Sequence, residues 1–202
     1  MKLYYSSASP YARKCLIAAH ELGVADQLEL ALVVTNPAAH SAELMRDNPL
    51  CKLPTLITAA GTAVYDSRVV CEYLNDLAGG SLFPAGEARW PVLVDQALAD
   101  GLLDAALLVR YEVTLRPAER QWSTWTKAQQ DKIVSALTQL ERSQAAWPAG
   151  RVDIGVIAVA AALRYLDLRF PELDWRQGRP GLSAWFATFE QRPSMQATAL
   201  KG

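Results

Sequence analysis

The stretch KLYYSSASPYARK, residues 2–14, constrains the fold of this chain more than any other. It reads as a short apolar strand, a hydroxyl-rich turn and the start of a helix. Ser9 supplies an N-cap oxygen for an orphan helix amide, and Pro10, which has no amide proton, suits the first helical position. Tyr11, Cys15, Ala18, Ala19 and Leu22 then recur on one helical face until Gly23 stops the helix. A helix N-terminus carries free N–H groups and roughly half a positive charge, so Ser6, Ser7 and Ser9 surround a place suited to an anion. A well-capped helix without a ligand accounts for the same residues, and this stretch alone leaves both readings open.

The segments that follow build on that unit. Leu28–Val34 is an apolar run expected to form a second strand, and strand, helix, strand at this spacing implies a parallel pair. Ser41 is expected to cap a short helix through Met45. Asn48-Pro49-Leu50-Cys51-Lys52-Leu53-Pro54 reads as an irregular loop entering a strand at Thr55–Thr58, which turns through Ala59–Thr62 into Ala63–Tyr65. Asp66-Ser67 open a helix, Arg68–Leu77, that Gly79-Gly80 end. The order β-α-β-α-β-β-α predicts an α/β domain over residues 1–78, with residues 79–86 as a linker. Residues 87–202 carry only helical periodicity, with helices expected at Trp90–Arg110, Lys127–Ala146, Asp153–Phe170 and Gly181–Gln191. The second domain is therefore expected to be all-α.

Composition excludes several function classes. A formal net charge of −1, with 20% charged residues, gives no global case for nucleic acid or an anionic membrane surface. The longest apolar run, Ile154–Leu163, is about half the roughly 20 residues that span a bilayer and reads as a buried helix. The start of the chain shows no signal-peptide pattern, and Cys15, Cys51 and Cys71 have neither disulfide-framework nor metal-ligand spacing, which points to a reducing cytoplasm and no metal. Glycine-rich nucleotide loops and the hydrolase nucleophile motif do not occur.

The order of four features resembles the glutathione S-transferase family in its cytosolic, thioredoxin-like form: Ser9-Pro10-Tyr11-Ala12-Arg13-Lys14, then Asn48-Pro49 leading into Leu53-Pro54, then Asp66-Ser67 before a helix, then a helical second domain. The resemblance covers essentially the full length. It implies a thioredoxin-like first domain, glutathione as co-substrate, and conjugation of its thiolate to a small hydrophobic electrophile within a homodimer. By the same resemblance Ser9 touches the sulfur as an anion-stabilising donor, Pro54 is cis and aims the Leu53 backbone at the cysteinyl part, and Lys52 faces the glycyl carboxylate. Asp66 and Ser67 hold the γ-glutamyl end, and Asp100 crosses the dimer interface to its amine. Tyr5 and Ser7 stand as substitutes for Ser9, and Tyr11 is a candidate for lining the acceptor side with apolar residues such as Leu102, Leu107 and Tyr111.

Two departures from the family pattern stand out. Cys51 occupies a loop position that commonly holds glycine; it is either an inert packed thiol or a site for a mixed disulfide with glutathione. Gly150 stands three residues before Asp153, where relatives carry a capping Ser or Thr. A non-catalytic relative that binds partners or ligands, and a glutathione-dependent isomerase or peroxidase, are the rival functions.

Overall fold

Local capping explains where the helices of the first unit start. In the computed structural model, which describes residues 1–200, β1 (Lys2–Tyr5) leads to α1 (Pro10–Glu21), with Ser9 as N-cap and Pro10 at the first helical position. β2 (Glu29–Leu32) pairs parallel with β1, as the strand, helix, strand spacing implies. α2 (Ala42–Asp47) is capped by Ser41, whose Oγ accepts Leu44 N–H at 3.3 Å. β3 (Thr55–Ile57) and β4 (Ala63–Val64) then close an antiparallel edge, and α3 (Ser67–Leu77) follows with Asp66 as N-cap. The sheet order is β2-β1-β3-β4, with Lys2 opposite Ile57 and Tyr4 opposite Thr55. Tyr4, Val33, Leu44 and Cys51 form a buried cluster beside this sheet. The Tyr4 hydroxyl donates to Asp47 Oδ2 at 2.7 Å and so ties the end of α2 to β1.

The second unit spans Gly86–Arg192. It comprises α4 (Arg89–Leu115), α5 (Ser123–Gln144), α6 (Ile154–Arg169) and α7 (Pro180–Phe189). The Ile154–Leu163 run forms the buried N-terminal part of α6, as its composition predicts. No helix among the described residues is long and apolar enough to cross a membrane. The cap of α6 is Asp153 itself, whose Oδ1 accepts Gly155 N–H at 3.0 Å and Val156 N–H at 3.2 Å. The residue at the capping offset, Gly150, instead takes a left-handed turn conformation with φ of 71°. Arg151 bridges Asp153 and Asp95, reaching Asp95 Oδ2 at 2.8 Å. Burial holds the Asp95 carboxyl above its usual range despite that partner. Gly155 lets α4 and α6 approach: a Cβ there would lie 2.7 Å from the Val92 carbonyl oxygen.

Among the helices that start earlier than their sequences suggest, α5 and α7 take their caps from elsewhere in the unit. Glu112 of α4 accepts Trp122 N–H at 2.9 Å, so α5 begins at Ser123 and not at Lys127. Glu141 of α5 accepts Gly181 and Leu182 N–H at 3.0 and 2.7 Å, so α7 begins at Pro180.

A short helix, α8 (Pro193–Ala197), was not expected from the sequence, where Arg192-Pro193 reads as a stop. Proline also suits a helix start. Of the described residues, 193–200 belong to the same compact unit as Met1–Ala85, whereas the expected boundary places them with the helical domain. Their hydrogen bonds to α1 side chains, through the Met195 carbonyl and the Ser194 hydroxyl, explain the return. The last two residues of the expected helical domain, Lys201 and Gly202, lie outside the described residues.

Candidate functional site

The sheet register brings the end of β1 and the start of β3 together. Tyr4 lies opposite Thr55, so the antiparallel pairing carries Tyr5 towards Pro54 just where the chain turns into α1. The turn itself is closed by Ser9 N–H donating to the Ser6 carbonyl at 3.1 Å. Ser9 Oγ accepts Ala12 N–H at 3.2 Å, the capping bond expected from the sequence. That bond uses an oxygen lone pair. A hydroxyl has one proton and two acceptor positions, so capping leaves Ser9 its donor. Ser7 is exposed on the turn, and Tyr5 and Tyr11 are half-buried on either side of it. The Tyr5 carbonyl accepts Val33 N–H at 2.9 Å.

The Leu53–Pro54 peptide is cis, as the resemblance implies. The loop before it is organised by Asn48, a fully buried residue that the sequence reading treats only as part of Asn-Pro. Asn48 Nδ2 donates to Thr55 Oγ1 at 2.8 Å and to the Lys52 carbonyl at 3.2 Å, while its Oδ1 accepts Leu50 N–H at 2.9 Å. An amide can donate and accept at once, so one side chain pins both ends of a loop that has no ladder of its own. Lys52 stands exposed on this loop, and Leu53 packs partly against the Tyr4 cluster.

Cys51 has φ of 50°, the left-handed region that suits glycine, which explains why a glycine is common at this position in the family pattern. Its thiol is buried at 6% exposure, with Sγ 3.3 Å from Thr35 Oγ1 and 3.6 Å from the Ser41 carbonyl oxygen. These contacts support a packed thiol.

At the start of α3, Asp66 is exposed and its Oδ1 accepts Arg68 N–H at 2.9 Å, which leaves the second carboxylate oxygen open to a cation. The Tyr65–Asp66 peptide is also cis. Ser67 is buried, and its carbonyl receives the Cys15 thiol at 3.5 Å, which sets the beginning of α3 against α1. Cys71 Sγ lies 3.6 Å from Cys15 Sγ, and both cysteines are fully buried and form no disulfide. Asp100 is buried on α4 of the second unit at 3% exposure. Leu102, Leu103 and Val109 are buried core of that unit, while Leu108 is exposed. Among the described residues no cluster of His, Cys, Asp and Glu has the makings of a metal site.

Residues 8–77 match the glutathione S-transferase N-terminal domain and residues 123–188 its C-terminal domain. The uncharacterized GST-like protein YibF of Escherichia coli (strain K12) is 32% identical over 98% of both chains. The chain belongs to the glutathione S-transferase family. Among solved members of this family, a glutathione transferase family member from Pseudomonas fluorescens Pf-5 with bound glutathione is 45% identical, with a TM-score of 0.96 over 100% of this chain and 99% of that one. A glutathione S-transferase from Methylobacillus flagellatus KT with glutathione bound is 34% identical over 99% of both chains, with a TM-score of 0.86. This glutathione S-transferase family member thus has the thioredoxin-like first domain, with a small mixed sheet, and the helical second domain that its sequence suggests.

Proposed function

We propose that this family member is a glutathione transferase that joins the glutathione thiolate to a small hydrophobic electrophile. The observation that carries the reading is the state of Ser9. Its oxygen caps α1 as an acceptor, and its proton stays available at a helix N-terminus. The solved relative at 45% identity over the full length was crystallised with glutathione.

The chemistry closes on magnitudes. A free thiol of pKa about 8.5 is only a few per cent thiolate at neutral pH, and the thiolate is the nucleophile. Lowering that pKa by about 2 units takes about 2.7 kcal/mol of preference for the anion. A hydrogen bond to a charged group contributes roughly 1.5–3 kcal/mol, and a partly buried helix N-terminus up to about 2. Ser9 and the amides of α1 together suffice. The proton leaves to solvent, the thiolate attacks the electrophilic carbon, and the S–C bond forms as the leaving group departs or a conjugated π bond takes up the electrons. Ser9 acts as a donor throughout and forms no covalent bond.

The remaining groups of the tripeptide find matching partners in this reading. The Leu53 backbone takes the cysteinyl part, Lys52 the glycyl carboxylate, Ser67 and the α3 amides the γ-glutamyl carboxylate, and Asp66 the ammonium. A homodimer and residence in the cytoplasm complete the proposal; Asp100, buried within its own unit, is left out of the binding set.

Retention on immobilised glutathione, followed by conjugation of an activated aryl halide across a pH series, tests it. We expect Ser9→Ala to bind glutathione and to raise the pKa of the rate profile by about 1–2 units, the loss of one charge-assisted hydrogen bond. An unchanged profile in Ser9→Ala removes the Ser9 assignment. Failure of the unaltered chain to bind glutathione favours the partner-binding alternative.

A further inference from the structure

We propose that the C-terminal turn Pro193–Thr198 is a brace on α1 that fixes the first turn of that helix, and with it the place of the substrate sulfur, through the positioning residues Arg13 and Thr198. The proposal rests on the glutathione reading above and adds residues that lie outside its binding set.

Arg13 stands one turn after the Ser9 cap. Its N–H closes that turn on the Ser9 carbonyl at 3.0 Å. Its side chain is 3% exposed, and it leads out of the helix to the far end of the chain: Nη2 donates to the Met195 carbonyl at 3.0 Å and Nε to Thr198 Oγ1 at 3.4 Å. Thr198 passes the link on, donating its own proton to the Ser194 carbonyl at 2.8 Å. At the opposite end of α1, Ser194 Oγ donates to Glu21 Oε1 at 2.5 Å. The helix is therefore tied near both ends by one short segment.

The two ties differ in kind. A guanidinium is permanently charged, and burying it is costly unless acceptors meet it, so Met195 and Thr198 are held in register by a group that cannot leave. The Glu21 tie sits at the end of α1 remote from Ser9. Geometry at the near end matters to the reaction because a displacement of about 1 Å in a reacting group can cost about a hundredfold in rate. The Ser9 hydroxyl and the α1 amides keep a common aim only while the first turn stays closed. Helix termini otherwise fray.

Hydrogen exchange of the full-length protein with and without glutathione is the first test. We expect glutathione to slow exchange at Tyr11–Arg13 and, in step with it, at Met195–Thr198. Slowing at Tyr11–Arg13 with none at Met195–Thr198 overturns the brace and leaves the glutathione reading intact; no slowing at either segment overturns both. The second test compares the thiol pKa of bound glutathione, followed by thiolate absorbance, in point variants. Thr198→Val is expected to raise it by about 0.5 units, a roughly threefold loss of thiolate at a pH below the pKa, with Thr198→Ser restoring the value. Ser194→Ala, at the remote tie, is expected to lower thermal stability and leave the thiol pKa unchanged. An equal shift in Ser194→Ala and Thr198→Val reduces the contact to general stability and refutes the proposal, as does an unshifted Thr198→Val. Where Thr198→Val does not fold, the exchange experiment on the unaltered protein decides.

Discussion

Replacing Cys51 by Ala and by Gly separates backbone strain from packing at the loop that precedes Pro54. Cys51 has φ of 50° and is buried at 6% exposure, so it holds a left-handed backbone and a packed side chain at once. Cys51→Ala removes the sulfur only, and burial of a group about the size of a methylene is worth about 0.8 kcal/mol. Cys51→Gly removes the Cβ as well, about another 0.8 kcal/mol, and adds roughly 0.5–1 kcal/mol of chain entropy. Against this, glycine relieves a left-handed conformation that costs an L-residue roughly 1–2 kcal/mol. At an ordinary buried position Gly would therefore be about 1.5 kcal/mol less stable than Ala; here the two variants should agree within about 0.5 kcal/mol. Urea denaturation measures the difference directly, as a change of midpoint at constant slope. A glycine variant less stable than the alanine variant by about 1.5 kcal/mol or more would refute the argument, because no strain would then have been relieved.

Three further outcomes follow from the geometry. Asn48→Ala should cost about 1–3 kcal/mol, because the Thr55 hydroxyl and Lys52 carbonyl lose a buried partner, and it should raise the KM for glutathione more than it lowers kcat. Asp153→Ala strips α6 of its cap and leaves Arg151 with half of its carboxylate partners, so thermal or chemical unfolding should report a loss of about 3 kcal/mol. Tyr165 is buried, which pushes its phenol pKa up to about 12. A folded-state pKa above the unfolded value of about 10 means that its contribution to stability is fully present below pH 10 and is lost as pH rises towards 12, by up to about 2.7 kcal/mol. Tyr165→Phe should therefore flatten that part of the alkaline unfolding curve, and an unchanged slope between wild type and variant would count against it.

What was legible in the sequence is what is encoded locally. Ser9, Ser41 and Asp66 sit directly before the helices they cap, and the apolar run of α6 announces its own burial, whereas the Asp153 cap was read as the first residue of its helix. The early starts of α5 and α7 were hidden because Glu112 and Glu141 act from other helices, at sequence separations of 10 and about 40 residues. The left-handed backbone at Cys51 was concealed by a side chain that normally avoids it, although the family's glycine at that position carried the signal. Around the candidate site, the Ser9 cap of α1 and the cis Leu53–Pro54 bond were anticipated. Asn48 and Arg13 were not, since an Asn before Pro and an Arg on a helix are common on surfaces, and only the fold reveals both as buried.

The return of the chain at Pro193 also bears on how the protein is made. Arg13 meets Met195 and Thr198 across 182 and 185 residues of sequence, so the first unit is interrupted by the whole of the second. A ribosome that adds roughly 5–20 residues each second delivers the closing segment some 10–40 s after α1 has emerged. During that interval Arg13 has to wait in water for the acceptors that will bury it. The sheet and α1 can form early, but their last partner exists only once the whole second unit has been made, so a nascent chain stalled after Ala85 lacks the segment that finishes the unit it appears to contain.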